Sequence, residues 1–196
     1  MSTLIFLIAF IGAYGIGSIC SAVIVSKLCH LPDPRTQGSH NPGATNVLRL
    51  SGKKYAIIVL LADALKGLLP VALLSFLHLI PHDLGYIGLA AILGHMYPVF
   101  FQFNGGKGVA TTLGVLLGLN GLLGLAVIAT WLLVAVITRY SSLAALVAIL
   151  LSPLYAMGYG FGHLVWPLCL IAIGVVYQHR ENIQRLMAGK ESKIKI

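Results

Sequence analysis

The feature that most constrains this chain is a succession of apolar runs close in length to membrane-spanning helices. A helix needs about 20 apolar residues to cross the roughly 30 Å hydrocarbon core of a bilayer. Because backbone polar groups inside a bilayer must be satisfied within the segment, the runs are predicted to be helical. The runs are Leu4–Leu28, Ala56–Ile80, Leu84–Phe101, Val109–Leu119, Gly121–Ile137, Leu143–Tyr159 and Leu164–Tyr177.

Composition supports one membrane domain over residues 1–196. Charged residues form 9% of the chain, against about 25% in an average soluble domain. The first run has neither a basic start nor a small-residue cleavage site, so we expect it to remain as the first membrane helix. The net charge of +8 does not indicate nucleic acid, because the basic residues interrupt membrane segments instead of forming a long polar tract. Anionic substrates or lipid head groups are the better partners.

The distribution of basic residues decides the number of crossings. One helix over residues 109–137 would be about 43 Å long, well beyond the bilayer core, and Asn120 with Gly121 provides a turn in its middle. With seven crossings, every Lys and Arg except Lys66 falls on one side. With six, the basic C-terminal tail would lie opposite the first loop, against the positive-inside rule. We therefore predict an all-α polytopic protein with seven membrane helices, the N-terminus outside and the C-terminus cytoplasmic.

Two details of this arrangement stay open. The run Val109–Leu119 is too short to span unaided, so it is either extended by its flanks or half embedded. Lys66 lies inside the second run three residues after Asp63, on the same helix face. This pair is either a structural ion pair that faces the bundle or a support for a nearby anionic site. We expect it to lie behind a substrate site.

The first inside connection, residues 38–49, is dense in hydrogen-bond donors. Glycines let backbone N–H groups turn toward an anion, Ser, Thr and Asn add side-chain donors, and an arginine can bind two phosphate oxygens. An ordinary polar loop is the simpler interpretation, but this density of donors beside a membrane favours a binding loop. The candidate ligands are Ser39, Asn41, Gly43, Thr45, Asn46 and Arg49.

The second inside connection contains Gly105, Gly106, Lys107 and Gly108. The lysine can approach a phosphate as a point charge, and the glycines would let backbone amides reach the same oxygens. The sequence is not a Walker A loop, because the first glycine is missing and Gly108 replaces the required Ser or Thr. Taken alone, the pattern fits an anion site and a membrane-interface turn equally well.

The last run is followed by His179 and Asn182, whose spacing makes them neighbours on a helix. A histidine at a membrane interface either packs there or binds a ligand. Ser142, which follows Arg139 by three residues, would by itself be interpreted as part of a helix boundary with a serine cap.

One further pattern, which we call the decoy, matches an acyltransferase motif but lies on the wrong side of the membrane for a phosphate site. His78 and Asp83 match the His-x4-Asp pattern of a different acyltransferase class, but Pro81 lies between them, in an outside turn across the membrane from the basic residues. No other Ser, His, Asp arrangement or metal-ligand cluster stands out, so the sequence predicts no protein nucleophile, metal or cofactor.

Together the motifs resemble the PlsY family, the bacterial acyl-phosphate-dependent glycerol-3-phosphate acyltransferases. The resemblance is carried by Gly17–Ser21, Ser39–Arg49, Gly94–Thr111 and His179–Leu186. It implies transfer of a fatty acyl group from acyl-phosphate to the 1-hydroxyl of glycerol 3-phosphate, giving lysophosphatidic acid and phosphate. It also implies a bacterial inner-membrane protein with a cytoplasmic active site and no CoA, carrier protein or metal as participant.

The resemblance also implies roles for individual residues. Lys107 and His179 would be catalytic, and with Arg49 and Asn182 they would bind glycerol phosphate. The family lacks a dedicated base, so a phosphate oxygen of the donor would accept the proton. The expected ligands of the acyl-phosphate head are Ser39, Asn41, Gly43, Thr45 and Ser142.

Two departures from the family pattern, Asn104 and His40, affect loop electrostatics and not the reaction. Transient docking of a soluble acyl-phosphate-producing enzyme on the basic face stays open. The alternative functions are a phosphate or anion transporter, which would want polar groups near the midplane and an internal repeat, and a non-catalytic lipid-binding subunit.

Overall fold

The computed structural model describes residues 3–75, 77–78 and 81–194, and the regular structure in those residues is helical throughout. Ten α-helices occur there, with 3₁₀ turns at Val99–Phe101 and Gly162–Leu164. In chain order the helices are α1 (Thr3–Gly17), α2 (Ser21–Leu28), α3 (Ala44–Ser51), α4 (Lys53–Ser75), α5 (Pro81–Met96), α6 (Val109–Leu119), α7 (Gly121–Thr138), α8 (Ser141–Gly158), α9 (Val165–Gln178) and α10 (Arg180–Met187).

Length and composition allow at least four of the described helical segments to cross a membrane. These are α4, α5 with its 3₁₀ turn, α7 and α8, and the bent pairs α1–α2 and Gly162–Gln178 with α10 raise the number to six. Helix α6 has 11 residues, so the count of seven crossings and the orientation of the termini stay predictions. The all-helical fold class is confirmed. Large apolar side chains cover the outside of the bundle, as lipid surroundings require.

Helix α6 packs closely against α4 because glycines let the two backbones approach. A Cβ on Gly67 would overlap the carbonyl oxygen of Thr111, and one on Gly114 would overlap that of Ala64. The predicted turn between α6 and α7 is confirmed: the Asn120 side chain accepts a hydrogen bond from Leu123 N at 3.1 Å and caps α7. The helix α6 therefore ends where the prediction placed it and folds back on α7.

The first apolar run is not one continuous helix, and this part of the prediction is wrong. Helices α1 and α2 are bent by 40° at a break over residues 18–20. Ser18 turns its hydroxyl onto Tyr14 O at 2.8 Å, and Ile19 O, freed from the helix ladder, accepts a hydrogen bond from Lys66 Nζ at 2.8 Å. The charged side chain inside α4 thus satisfies a carbonyl that the break exposes.

The first inside connection also differs from its prediction as a loop, because residues 44–51 form helix α3. Asn46 and Val47 are buried and Arg49 is exposed, so one face of the helix packs against the bundle. Contacts from Thr45 to Ser141, from Lys107 to Asn182 and from the tail to Arg139 bring the predicted inside connections to one end of the bundle. We call this the basic end.

Candidate active site

The centre of the basic end is a network of polar side chains from three separate parts of the chain. Lys107, in the connection before α6, donates a short hydrogen bond to Asn182 Oδ1 on α10. Asn182 Nδ2 donates to Glu191 Oε1 at 2.6 Å, and Ser142 Oγ of α8 donates to the same oxygen at 2.7 Å. Arg185 Nε donates to Glu191 Oε2 at 2.7 Å. Three predicted site residues therefore meet around one carboxylate.

His179 lies beside this network, at the bend of 61° between α9 and α10. Its Nδ1 lies 2.8 Å from Val175 O, and since a carbonyl only accepts, Nδ1 carries the hydrogen. In the neutral ring the lone pair is then on Nε2. Burial, together with the smaller effect of the Lys107 charge, lowers the pKa of His179 to about 4 despite the hydrogen bond to Val175. The imidazole is therefore neutral at physiological pH and can accept a hydrogen bond.

The charges around Lys107 favour the binding of an anion. Burial is the largest cause that lowers the pKa of Lys107 to about 8, and the nearby guanidinium of Arg185 is the next largest. Burial raises the pKa of Glu191, but hydrogen bonds from Ser142, Asn182 and Arg185 outweigh it, so the net pKa of this carboxyl is lowered. Crowded cations that destabilise one another are stabilised when an anion binds between them.

Helix α3 brings two more predicted residues to the edge of the network. Thr45 Oγ1 lies 3.3 Å from Ser141 Oγ, at the start of the helix that carries Ser142. Arg49 is exposed and donates to the carbonyl of Ser192 in the tail at 3.4 Å. The tail thus connects the α3 side of the basic end to the α10 side.

The remaining residues of the first connection are organised around Asn46. Its Oδ1 accepts from Ser39 N at 3.0 Å, and its Nδ2 donates to Pro34 O at 2.9 Å and to Gln37 O at 3.0 Å. Asn46 is 1% exposed, so its amide fixes the loop from inside. Asn41 approaches Gly43, where a Cβ would lie 2.7 Å from Asn41 Nδ2. Gly43 precedes the first residue of α3.

Gly105 and Gly106 lie tightly against His95 of α5. Gly106 N donates to His95 O at 3.0 Å, and a Cβ on Gly106 would overlap the imidazole at Nε2. A Cβ on Gly105 would overlap His95 O. The other ring nitrogen, Nδ1, lies 3.6 Å from Asp63 Oδ1, which pairs with Lys66 Nζ at 2.8 Å.

The buried pair on α4 therefore contacts the glycine connection through one histidine. Asp63, Lys66 and His95 are all at most 6% exposed. The position of the pair behind the glycine connection agrees with the expectation that it supports a site indirectly. The decoy residue His78 is exposed in a turn after α4, and α4 is about 34 Å long at 1.5 Å per residue. His78 thus lies at the opposite end of that helix from the basic end.

Sequence reasoning missed Glu191 and Arg185 as members of the network. Glu191 is one of 5 acidic residues in a chain with 13 basic ones. An acid isolated in a basic tail is the available signal, but the return of the tail onto α10 depends on the tertiary fold. His95 lies within the Gly94–Thr111 block that carries the family resemblance, but no role was predicted for it.

These features define a class: a helical membrane protein that collects Lys, Arg, Ser and Asn donors around an oxyanion position at one end of its bundle. The glycerol-3-phosphate acyltransferase family model matches residues 7–189. The chain belongs to this family.

Relatives and solved structures agree with that membership. A glycerol-3-phosphate acyltransferase of Legionella pneumophila (strain Philadelphia 1) is 55% identical over 196 residues, which are 100% of this chain and 70% of the relative. One of Coxiella burnetii (strain Dugway 5J108-111) is 52% identical over 191 residues, 97% of this chain and 99% of the relative.

The fold is also that of a solved integral membrane enzyme. A crystal structure of PlsY, an integral membrane glycerol 3-phosphate acyltransferase, in its glycerol 3-phosphate form has a TM-score of 0.92 and 40% identity, covering 97% of this chain and 96% of that chain. The lysophosphatidic acid form has a TM-score of 0.89 and 39% identity, with 97% and 95% coverage. The chain is therefore a multi-pass integral membrane protein.

Proposed function

We propose that this chain, a glycerol-3-phosphate acyltransferase, takes its acyl group from acyl-phosphate and transfers it to the 1-hydroxyl of glycerol 3-phosphate. The products are lysophosphatidic acid and inorganic phosphate. The observation that carries the proposal is that one oxygen of Glu191 bridges Ser142 and Asn182. These two residues are the predicted ligands of the donor phosphate and of glycerol phosphate, so the two predicted phosphate sites adjoin.

Two phosphates can approach one another here only if their repulsion is offset. Lys107, Arg185 and Arg49 supply cationic groups around the position that the carboxylate takes, since Arg185 and Arg49 are close enough to contribute to the lowered pKa of Lys107. Alignment of two reactants in such a site can contribute about 7–11 kcal/mol to lowering the barrier. The chain therefore needs to position and neutralise its substrates more than to form a covalent intermediate with them.

The chemical step follows from these groups. The 1-hydroxyl oxygen of glycerol 3-phosphate attacks the acyl carbonyl carbon, and the bond between that carbon and the bridging oxygen of the donor phosphate breaks. The hydroxyl proton goes to a donor phosphate oxygen, which leaves as inorganic phosphate. His179, with a pKa of about 4, is a weak base at neutral pH. Its Nε2 lone pair orients the hydroxyl by accepting a hydrogen bond, and Lys107 stabilises the charged phosphate.

An apolar groove next to the basic end supports a membrane route for the acyl chain. The groove, of about 620 Å³, lies between α8 and α9. It is lined by Leu150, Pro153, Cys169, Ala172, Ile173, Val176 and Tyr177. Because Tyr177 is two residues before His179, a chain in this groove would leave its head group near the network. Glycerol phosphate would arrive from the aqueous side.

The basic end is proposed to face the cytoplasm of a bacterial inner membrane. The basic residues are concentrated in the connections and tail at that end, and the positive-inside rule assigns such an end to the cytoplasm. A cysteine placed at Gln37, which is exposed, should be labelled by an impermeant reagent only in inverted membranes. Labelling in intact cells would reverse the orientation.

The test of the donor is a comparison of acyl-phosphate, acyl-CoA and acyl-carrier protein with the purified full-length protein. With glycerol 3-phosphate present, acyl-phosphate should be the only one of the three donors that reacts, and lysophosphatidic acid and inorganic phosphate should form in equal amounts. A chelator should not slow the reaction. Turnover with acyl-CoA or acyl-carrier protein and none with acyl-phosphate would contradict the proposal. Uptake of phosphate into vesicles without product formation would support the transporter alternative instead.

A further inference from the structure

The carboxylate at the centre of the network comes from the tail of the chain itself. Both oxygens of Glu191 are hydrogen-bonded, by Ser142 and Asn182 on one side and by Arg185 on the other. Its side chain is 6% exposed. Carboxylates and phosphates are recognised by the same charged and neutral donors. A buried carboxylate held in this way marks a position that fits a phosphate oxygen.

We propose that Glu191 occupies a substrate-phosphate position in the substrate-free protein and competes with the substrate for it. We further propose that Arg185, which no sequence motif assigned to the site, is a phosphate-binding residue. Both inferences rest on the proposed function, because it supplies the premise that a substrate phosphate binds at this network.

The backbone of the tail explains why Glu191 returns to the site. Gly189, just after α10, has φ +65°, which favours glycine and reverses the chain. Lys190 N donates to Arg185 O at 2.8 Å, and Ile194 N donates to Arg139 O at 2.7 Å. Residues 190–194 therefore cross the basic end from α10 to the start of α8, and we call them the strap. A substrate phosphate and the Glu191 carboxylate cannot occupy the same donors together.

The charges indicate how the substrate displaces the strap. A carboxylate carries one negative charge, whereas a phosphate monoester carries about 1.5 to 2 at neutral pH. Arg185 has a planar fork of donors that can bind two phosphate oxygens, and its other acidic contact, Glu181 Oε2, is 3.9 Å away. The substrate phosphate therefore gains more from Arg185 and Lys107 than Glu191 does. The apparent affinity for the substrate is therefore the intrinsic affinity multiplied by the fraction of molecules in which the strap is not seated.

A purely structural role for the Arg185–Glu191 pair predicts a different pattern of effects. If Arg185 served only to hold Glu191, its replacement would have no further effect once the acid is gone. If Arg185 binds phosphate, its replacement weakens binding in the absence of Glu191 as well. The two possibilities are therefore separated in a Glu191→Gln background.

The experiment measures equilibrium binding of glycerol 3-phosphate to the purified protein without any acyl donor. Glu191→Gln, and a chain ending at Gly189, should each lower the Kd by about threefold or more. Ser192→Ala is the matched control, because this exposed strap residue is held through its backbone carbonyl, and its Kd should be unchanged. Adding Arg185→Gln to Glu191→Gln should raise the Kd about tenfold.

Unchanged or weaker binding of glycerol 3-phosphate in both Glu191 variants, together with no fall in the KM of either substrate, would overturn the competition. A lack of effect of Arg185→Gln in the Glu191→Gln background would overturn the role of Arg185. The KM values of the two substrates in Glu191→Gln identify the phosphate concerned: the KM that falls belongs to the competing substrate, and no fall in either contradicts the proposal. Because the binding experiment needs no donor, failure of the acyl-phosphate proposal would leave its result interpretable.

Discussion

Two clusters of charged and polar side chains in this protein use similar groups differently. The buried cluster, Asp63, Lys66 and His95, is enclosed between α4, α5 and the α1–α2 break. The end cluster consists of Lys107, Ser142, Asn182, Arg185 and Glu191. The first is closed by groups fixed on helices, whereas the central anion of the second comes from the strap. The buried cluster positions its neighbours, whereas the end cluster is proposed to bind a ligand in exchange for its strap carboxylate.

The buried cluster is expected to contribute strongly to stability. Lys66→Met should cost about 3–5 kcal/mol of unfolding free energy, because it leaves the Asp63 carboxylate buried without its closest cation. A denaturant titration of the detergent-solubilised protein measures the loss of unfolding free energy. Lys53→Met, at the exposed start of the same helix, is the matched control and should change little. Wild-type stability of the Lys66 variant would show that the buried cluster does not hold the helices together.

The reverse pattern is expected in the end cluster. Lys107→Gln removes the charge that faces the phosphate, and kcat/KM should fall about 100-fold or more while the unfolding midpoint changes little. His78→Ala, at the far end of α4, is the control and should retain activity within about twofold. Near-wild-type turnover by the Lys107 variant would remove the assigned site. Loss of turnover in a folded His78 variant would revive the decoy.

Gly106 lies where the two clusters meet, and Gly106→Ala tests their coupling. The added methyl group would overlap the His95 imidazole, so the backbone beside Lys107 must shift. A small misplacement of this kind lowers kcat/KM roughly tenfold to a hundredfold. Gly12→Ala is the control, because nothing lies within 4 Å of the added carbon. Equal activity of the two variants would mean that the clusters act independently.

A smaller effect is expected from pH. Burial lowers the pKa of Lys107 to about 8, so the substrate-free enzyme loses this positive charge as pH rises through that value. The affinity for glycerol 3-phosphate should therefore decline above about pH 8. In Lys107→Arg the guanidinium stays charged, and the decline should move to higher pH. An identical pH profile of binding in both proteins would assign the titration to another group.

The sequence predicts well what depends on local chemistry. The Asn120–Gly121 turn was predicted because Asn-Gly favours a turn and because one helix over residues 109–137 would be too long, and it ends α6 and begins α7 as expected. Gly105 and Gly106 were predicted to let backbone amides approach a phosphate, whereas the structure places both against His95 and has Gly106 N donating to His95 O. Their role as phosphate ligands stays a prediction.

Features that depend on contacts between distant segments were not predicted. The α1–α2 break falls inside the first apolar run, and Lys66, 47 residues after Ile19, satisfies the carbonyl that the break exposes. Glu191 accepts hydrogen bonds from Ser142, 49 positions before it, and from Asn182, 9 positions before it. Hydrophobic periodicity contains no information on either contact.

The end cluster is proposed to be a phosphate site whose resident carboxylate leaves when the substrate binds. An experimental structure of the full-length protein with glycerol 3-phosphate would show whether this exchange occurs. The phosphate should accept hydrogen bonds from Lys107, Asn182 and Arg185, with Glu191 displaced from Ser142. A phosphate bound elsewhere, with Glu191 still hydrogen-bonded to Ser142 and Asn182, would contradict the account.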